Sequence, residues 1–386
     1  MKAREVPETL QVSRTAGLRS GHGTHGLRVE RLALESLAET LPQALGLTYW
    51  FDPQVANVSG SVIVRFSGRR TDRNGKPGPR ECFSVEETVD VPPGAGPVSI
   101  TARVGDITPG TWETTAVLLA PPTPHARACP SRSKLPPVSA VGRTAYAPVL
   151  QVHAPGAHLG AWPALVGTGA LVGLFVQGIL ARHLHLPVAR VEAVALVAAA
   201  IGLLAAKAYY AIGHYATGER SARELLSGAC IQGFVLGAGA TLVAGTEISA
   251  LPLGTVLDLS APGLLFGMTI GRYGCFFGGC CVGRPTAWRW GLWSSDRRVL
   301  MRRVPVQLFE STAAFALGVV ALVVAWSAQL GHAELFVGAV AAYTLARQLL
   351  FPLRAVSRHT SHGWRLTIVA SAGILLADVL VALVAG

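Results

Sequence analysis

Charged side chains are scarce in this chain. Asp, Glu, Lys and Arg make up 14% of its 386 residues, 51% are hydrophobic, and the mean hydropathy is +0.43. Since about a quarter of an ordinary soluble protein is charged, the composition excludes a disordered chain and argues against a soluble enzyme. The shortage lies in one part, with 30 charged residues in residues 1–150 but 25 in residues 151–386. We therefore expect a soluble first part and a membrane-embedded second part.

The N-terminal part also lacks the sequence pattern of a secretory leader. The first 45 residues contain no basic segment followed by an apolar one, so we expect no cleavable signal peptide. Acidic residues are too few to balance the basic ones, and the net charge is +11. In a membrane protein this excess favours contact with anionic lipid headgroups and not with nucleic acid.

The first 160 residues divide into three stretches. Residues 1–45 are polar, and their leucine spacing predicts one amphipathic helix over 27–45. Residues 46–120 contain short β-type runs separated by turn sequences such as NGKPGP and PPGAGP, which predict a small all-β, sandwich-like accessory domain. Residues 121–160 are rich in Pro, Ala and Ser and are expected to form a linker.

Residues 161–386 contain long apolar segments. Most approach the roughly 20 residues that a helix needs to cross a bilayer. The fold class expected here is an α-helical integral membrane protein with about seven transmembrane helices. The predicted spans are 163–180, 191–211, 225–244, 254–277, 307–324, 335–353 and 366–384.

Arginine is unevenly distributed between the loops. Arg182 and Arg190 follow the first span, and twelve arginines fall on the opposite side of the predicted membrane. Those twelve are Arg220, Arg223, Arg284, Arg289, Arg297, Arg298, Arg302, Arg303, Arg347, Arg354, Arg358 and Arg365. The positive-inside rule would place them in the cytoplasm. The alternative interpretation is an arginine-lined site for lipid headgroups on that face.

Three basic residues, Lys207, Arg272 and Arg347, lie in or at the ends of apolar segments. An ionisable side chain at the bilayer centre costs about 2.5–3.5 kcal/mol unless it is paired or hydrated, so such residues mark a cavity. Arg272 stands between Gly271 and Gly274, where its planar guanidinium would suit a phosphate. The alternative for Arg272 is a side chain that extends to the membrane surface.

Glu310 opens the fifth span, and two interpretations of it stay open. A carboxylate there would favour the positive end of the helix dipole. It would equally serve as a buried partner for one of the arginines, or as a base.

Three of the six cysteines, Cys275, Cys280 and Cys281, stand close together in CFFGGCC. Zinc and iron–sulfur sites use about four ligands and this spacing offers three, so no metal and no cofactor are expected. The thiols are expected to be packing residues, disulfide-forming thiols or, beside Arg272 and Arg284, reactive thiols with a lowered pKa.

The sequence around these residues resembles the signature region of bacterial prolipoprotein diacylglyceryl transferases. The similarity runs from Asp258 and Ala261-Pro262 through GRYGCFFGGCCVGRPT at 271–286, and continues with PVQLFE at 305–310. Weaker matches are Gln232-Gly233 and the stretch from Arg347 to Arg354. The resemblance covers residues 161–386 and leaves the β-rich part unmatched.

The resemblance implies a seven-span enzyme of the bacterial plasma membrane. Its members move a diacylglyceryl group from phosphatidylglycerol to the thiol of a lipobox cysteine in an exported preprotein, on the periplasmic or outer face. Arg272, Gln307 and Glu310 would be catalytic. Substrate-binding positions would be Arg347, Arg284, Gly271, Gly274, Gln232 and Asp258.

The chain departs from the family pattern where polar groups are expected. Cys275 and Gly278 stand at two family asparagines, Cys280 at an acidic residue, and Gln232 at a histidine. Two alternatives on the same scaffold therefore stay open. One is a cysteine-dependent thiol-redox membrane enzyme, and the other is a non-catalytic lipid-binding paralogue.

Overall fold

Two units are distinguished in the computed structural model, which describes residues 25–31, 40–72, 78–119, 135–216, 228, 230–328, 331–356 and 363–385. Unit 1 comprises Met1–Ala161, Cys275–Val306 and Leu353–Val356. Unit 2 comprises Trp162–Gly274, Gln307–Pro352 and Ser357–Gly386. Unit 1 thus combines the N-terminal part with a loop that comes much later in the chain.

Short strands dominate unit 1. In the described part of the N-terminal segment they are β1 His25–Val29, β2 Gln43–Phe51, β3 Gly60–Arg70, β4 Cys82–Val91, β5 Val98–Val104, β6 Thr111–Leu119, β7 Val138–Arg143 and β8 Ala145–Tyr146. Two short helices accompany them, α1 Pro53–Ala56 and α2 Ala147–Leu150. A hairpin in the later loop adds β9 Leu292–Ser295 and β10 Val299–Arg303.

The strands form two antiparallel sheets. One has the order β4-β3-β6-β7, and the other has the order β1-β2-β5-β10-β9 with β8 paired to β2. In the second sheet Val299 of β10 lies opposite Ile100 of β5, and Leu300 lies opposite Ser99. A strand from the later loop therefore extends a sheet that the N-terminal segment begins.

Apolar side chains of the two sheets form one core. Along β3, alternate residues Val62, Val64 and Phe66 are fully buried. Trp112 of β6 and Met301 of β10 belong to the same cluster. The sandwich-like domain predicted from the turn spacing is confirmed, and its core includes a residue more than 180 positions away in sequence.

The helix predicted over 27–45 is wrong wherever the structure describes it. Its first residues lie in β1 and its last residues in β2, while residues 32–39 lie outside the described part. The strands pair with Leu27 opposite Tyr49 and Val29 opposite Leu47. Leu45 and Leu47 are fully buried in the sheet, and that burial outweighs the local helical spacing.

The expected linker is folded over its second half. Residues 120–134 lie outside the described part, but β7 pairs with β6, and Leu150 of α2 is 1% exposed. Arg103 donates hydrogen bonds to the carbonyl oxygens of Leu150 and His153, both at 2.9 Å. Small Ala and Pro side chains allow this segment to pack closely against the sheet instead of forming a flexible tether.

Long helices make up unit 2, and each of the seven predicted spans coincides with one. They are α3 Ala161–His183, α4 Val188–Ala216, α5 Ile231–Ile248, α6 Leu253–Gly278, α7 Val306–Ser327, α8 Glu334–Leu350 and α9 Gly363–Ala385. Within the described residues, six of them, α3 to α8, are long and apolar enough to cross a membrane. The multi-pass helical fold is thereby confirmed.

Glycines bring α3 and α6 into close contact. A Cβ added to Gly169 would lie 2.6 Å from the carbonyl oxygen of Gly267, and one added to Gly263 would lie 2.4 Å from that of Gly173. Both distances are too short for any side chain. Small residues spaced four apart on each helix therefore set the separation of the two backbones, as is common between membrane helices.

We expect Gly169→Ala to destabilise the protein in detergent by about 1–3 kcal/mol, because the added methyl group would force α3 away from α6. Gly167→Ala on the same helix is the matched control, since a Cβ there meets no atom within 4 Å. Thermal unfolding, monitored by size-exclusion chromatography, measures the difference in melting temperature between the two variants. Equal melting temperatures for the two variants would contradict the close approach of these helices.

Candidate active site

An ion pair joins α6 and α7, with the Glu310 side chain fully buried and the Arg272 side chain 13% exposed. The Nε of Arg272 forms an ion pair with Oε2 of Glu310 at 3.0 Å, while its N–H donates a hydrogen bond to the hydroxyl of Tyr343 on α8 at 3.1 Å. Glu310 is 1% exposed and Tyr343 is 6% exposed. Arg272 is therefore held by two polar partners from two other helices, so it is not simply a side chain that extends to the membrane surface. Of the two interpretations of Glu310 that the sequence left open, the structure supports the buried partner of an arginine.

The first turns of α7 face this ion pair. Gln307 precedes Glu310 by three residues, so the two side chains share one helix face, and Gln307 is 1% exposed. The hydroxyl of Ser311 donates to the carbonyl oxygen of Thr269 on α6 at 2.8 Å. This bond joins α7 to α6 one turn before Arg272 and fixes the register of the carboxylate against the guanidinium.

Glycine flanks the guanidinium and lets α3 lie beside it. A Cβ on Gly274 would be 3.3 Å from the carbonyl oxygen of Trp162, whereas one on Gly271 would be 3.8 Å from Val166. A side chain at position 274 would therefore crowd α3, whereas a Cβ at position 271 would make only an ordinary van der Waals contact. The structure supports a packing role for Gly274, and the substrate-binding role expected for both glycines stays a prediction.

Arg347 is half-buried on α8, one turn after Tyr343. Residues four apart on a helix share a face, so Arg347 lies on the side of α8 that carries the Arg272 contact. Tyr343 was not among the residues expected from sequence. The sequence did contain one indication of it, because Tyr343 lies four residues before Arg347, a predicted site residue, and so shares its helix face.

The structure does not bring Asp258 to this ion pair. Asp258 precedes Arg272 by 14 residues on α6, which is about 21 Å along a helix axis. Its carboxylate instead accepts backbone N–H groups of Gly331, Ala333 and Phe336, at 3.2, 3.1 and 3.1 Å. These bonds stabilise the start of α8, so Asp258 has a structural role here.

Gln232 lies in the first turn of α5. Its Oε1 accepts a hydrogen bond from the Cys230 thiol at 2.7 Å. The substrate-binding role expected for Gln232 stays a prediction.

Arg284 belongs to unit 1, where it joins two loop segments. Its backbone N–H donates to the carbonyl oxygen of Leu353 at 2.8 Å, and its Nε donates to that of Arg354 at 3.2 Å. The preceding Gly283 admits no side chain, because a Cβ there would lie 2.0 Å from the carbonyl oxygen of Val304. Arg284 thus has a structural role in joining these segments. Its expected role in headgroup binding stays a prediction.

Several arginines of the same loop hold the β9–β10 hairpin. Arg298 forms an ion pair with Glu87 of β4 at 2.7 Å, and Arg303 forms one with Asp296 at 2.8 Å. Burial lowers the pKa of Arg303, while the neighbouring Asp296 acts in the opposite direction. Some of the arginines in this loop therefore stabilise the fold of unit 1. Their number is not explained by membrane topology or headgroup binding alone.

The three clustered cysteines meet at the end of α6. The Sγ atoms of Cys275, Cys280 and Cys281 all lie within 4.8 Å of one another. Gly279 ends the helix with φ +68°, and the Cys280 N–H donates to the Cys275 carbonyl oxygen at 3.0 Å. This is the Schellman arrangement, which brings together side chains five residues apart. Cys281 also has a left-handed backbone, with φ +54°.

The expectation of a lowered thiol pKa is wrong for Cys280. Hydrogen bonding to the Cys275 and Cys281 thiols raises its pKa, and burial adds to the effect. Cys275 is itself 8% exposed.

Taken together, these features define a multi-pass helical membrane protein with a buried arginine–glutamate pair among three of its helices. A sequence profile of the family described as prolipoprotein diacylglyceryl transferase matches residues 150–384. The match covers more than half of the chain. The chain belongs to the prolipoprotein diacylglyceryl transferase family, and the β-rich part up to residue 149 lies outside the match.

Individual relatives agree with the profile. The chain is 27% identical over 217 residues to a phosphatidylglycerol–prolipoprotein diacylglyceryl transferase of Bacillus cytotoxicus, which covers 52% of this chain and 80% of the relative. It is 29% identical over 224 residues to that of Bacillus licheniformis, covering 55% and 83%. It is 36% identical over 132 residues to the second such enzyme of Streptomyces coelicolor, covering 32% and 40%.

We expect Arg272→Met or Glu310→Leu alone to lower the free energy of unfolding by about 3–5 kcal/mol, because each leaves a buried charge without its partner. The double variant should lose much less than the sum of the two. Unfolding in mixed detergent–SDS micelles provides the measurement. Additive effects would show that the two side chains do not interact.

Proposed function

We propose that this protein transfers a diacylglyceryl group from phosphatidylglycerol to the cysteine thiol of a lipobox-containing preprotein. The observation that carries the proposal is the Arg272–Glu310–Tyr343 constellation. Arg272 and Glu310 come from two segments, GRYG and QLFE, that resemble the family signature, and Tyr343 comes from α8. Family membership supports the reaction class, and the names of the relatives support the substrates.

The reaction is a displacement at carbon. The acceptor sulfur forms a bond to the terminal glycerol carbon of the diacylglyceryl group, and the bond from that carbon to the phosphate oxygen breaks. The electron pair leaves with glycerol phosphate, and the thiol proton is released to solvent. A fixed cation stabilises the charge that develops on the leaving group.

Arg272 suits the task of binding that phosphate. A guanidinium offers five N–H donors in a rigid plane, and Glu310 and Tyr343 engage its Nε. These contacts fix the plane of the guanidinium before substrate arrives. Gln307 on the Glu310 face and Arg347 on the Tyr343 face are the further groups that we assign to headgroup binding.

The two alternatives have less support. A thiol-redox enzyme would draw on the cysteine cluster, but the raised pKa of Cys280 is unlike that of a reactive thiolate. A non-catalytic paralogue would explain the lost family asparagines and histidine. Such a paralogue would also keep Arg272 for a headgroup, but the relatives that the chain resembles are named as transferases, which favours the catalytic interpretation.

We place the protein in the bacterial plasma membrane, with the site on its outer face. Pairing of β10 with β5 supports a common side for the N-terminal part and the 279–305 loop. Four membrane helices, α3 to α6, separate these two segments, and an even number returns the chain to its starting side. The outer face is where an exported preprotein would meet the enzyme.

Arg272→Ala should reduce lipobox-cysteine modification by about 100-fold or more, because the cation that stabilises the leaving phosphate is lost. Arg272→Lys should recover little, since an ammonium lacks the planar fork. The measurement is mass spectrometry of a lipobox reporter in cells depleted of their own transferase. Arg289→Ala is the matched control, because Arg289 is exposed and stacks on Trp290. Undiminished modification in the Arg272→Ala variant would overturn the proposal.

The exposed Cys82 on β4 should react with a membrane-impermeant maleimide in intact spheroplasts. A Cys129→Ser background removes the other cysteine of the N-terminal part, and Cys82→Ser is the control that loses the label. Labelling only after lysis would place this part, and with it the 279–305 loop, in the cytoplasm.

A further inference from the structure

We propose that Cys275, Cys280 and Cys281 bind one Zn²⁺ ion as three thiolates and leave its fourth coordination position open to an exogenous thiol. In the described residues, this is the only group of three or more His, Cys, Asp or Glu ligand atoms close enough to share an ion. The sequence spacing alone had argued against a metal. The fold brings the three sulfurs together.

The geometry suits a single ion. Zinc–sulfur bonds are about 2.3 Å, so two thiolates on one tetrahedral zinc lie about 3.8 Å apart. The three Sγ atoms lie within 4.8 Å of one another and need move by only a fraction of an ångström to close on an ion. A disulfide would require two sulfurs to approach to about 2.05 Å, and it would leave the third unused.

The backbone is arranged to make the cluster. The Schellman turn at Gly279 brings Cys275 and Cys280 together across the end of α6. Neighbouring side chains in an extended chain point to opposite faces. Cys281 avoids this because its φ is +54°, in a region that non-glycine residues seldom adopt. That unusual backbone lets two adjacent thiols face one point.

The surroundings complement the charge of such a site. Three thiolates and one Zn²⁺ carry a net charge of −1. The Nε of Arg297 donates to the carbonyl oxygen of Gly278 at 2.7 Å, and its side chain packs over Gly279, where a Cβ would lie 3.0 Å from Arg297 Cγ. A cation is thus fixed against the turn that carries the cysteines. Soft thiolate ligands also exclude Mg²⁺ and Ca²⁺.

The open position gives the site a chemical use. Protein zinc sites with three ligands are of the catalytic type, with the fourth position held by water or substrate. A thiol that coordinates zinc loses its proton to solvent and becomes a thiolate, which is the nucleophilic form. This part rests on the proposed function, because the acceptor in that reaction is a cysteine. Gln232 stands where the family has a histidine, and its amide cannot accept the thiol proton.

Metal analysis of the full-length protein, purified in detergent under reducing conditions, tests the site without relying on activity. We expect about one zinc per chain. Cys275→Ser, Cys280→Ser and Cys281→Ser should each lower zinc occupancy at least tenfold, while Cys82→Ser on the exposed strand β4 should retain it. Zinc below one tenth per chain, stoichiometric copper, iron with sulfide, or a disulfide within the cluster would each overturn the proposal.

Cobalt substitution of the unmutated protein adds a measurement that does not depend on the folding of any variant. We expect thiolate-to-cobalt charge-transfer bands and the visible bands of a tetrahedral site, which shift when a lipobox cysteine peptide is added. The serine form of the same peptide should produce no shift. A cobalt spectrum that the cysteine peptide leaves unchanged would overturn the open position.

Activity then separates this proposal from the proposed function. Stoichiometric zinc with a peptide-dependent cobalt spectrum but no lipid transfer would support the metal site and overturn the transferase. Full lipid transfer by protein stripped of zinc would support the transferase and overturn the role of the metal.

Discussion

Burying a guanidinium among membrane helices is the constraint on which much of unit 2 depends. Arg272 would be costly in an apolar environment on its own, and it is retained because α7 supplies a carboxylate and α8 a hydroxyl. Both must lie within hydrogen-bond distance, so three helices are held at a defined register. The Ser311 bond to Thr269 and the glycine contacts between α3 and α6 serve the same requirement.

Unit 1 meets a different constraint, because its second sheet includes a strand from the loop between two membrane helices. The β10 strand shares backbone pairs with β5, and Arg103 donates to carbonyl oxygens in the segment that leads into α3. The N-terminal part therefore forms one unit with that loop. Any movement of the β9–β10 hairpin would disturb its core through Val299 and Met301.

The sequence was sufficient for features that depend on local pattern. Apolar length predicted the spans, turn spacing predicted the sandwich, and the two signature segments predicted Arg272 and Glu310. Contacts between distant segments were not predictable in this way. The short, arginine-rich β10 looks unlike a strand until β5 pairs with it. Tyr343 joins the site only because α8 packs nearby, and Leu45 is a strand residue only because the sheet buries it.

The departures from the family pattern become coherent when proton transfer is considered. Thioether formation needs an ionised sulfur, yet Gln232 offers an amide where the family has a histidine, and Glu310 is committed to Arg272. Two of the three cysteines in the cluster replace polar family residues, and the Schellman turn at the end of α6 brings all three thiols together. A chain that loses a base and gains a thiol cluster has exchanged one means of ionising a sulfur for another, since a metal ion held by that cluster lowers the pKa of a bound thiol without any base.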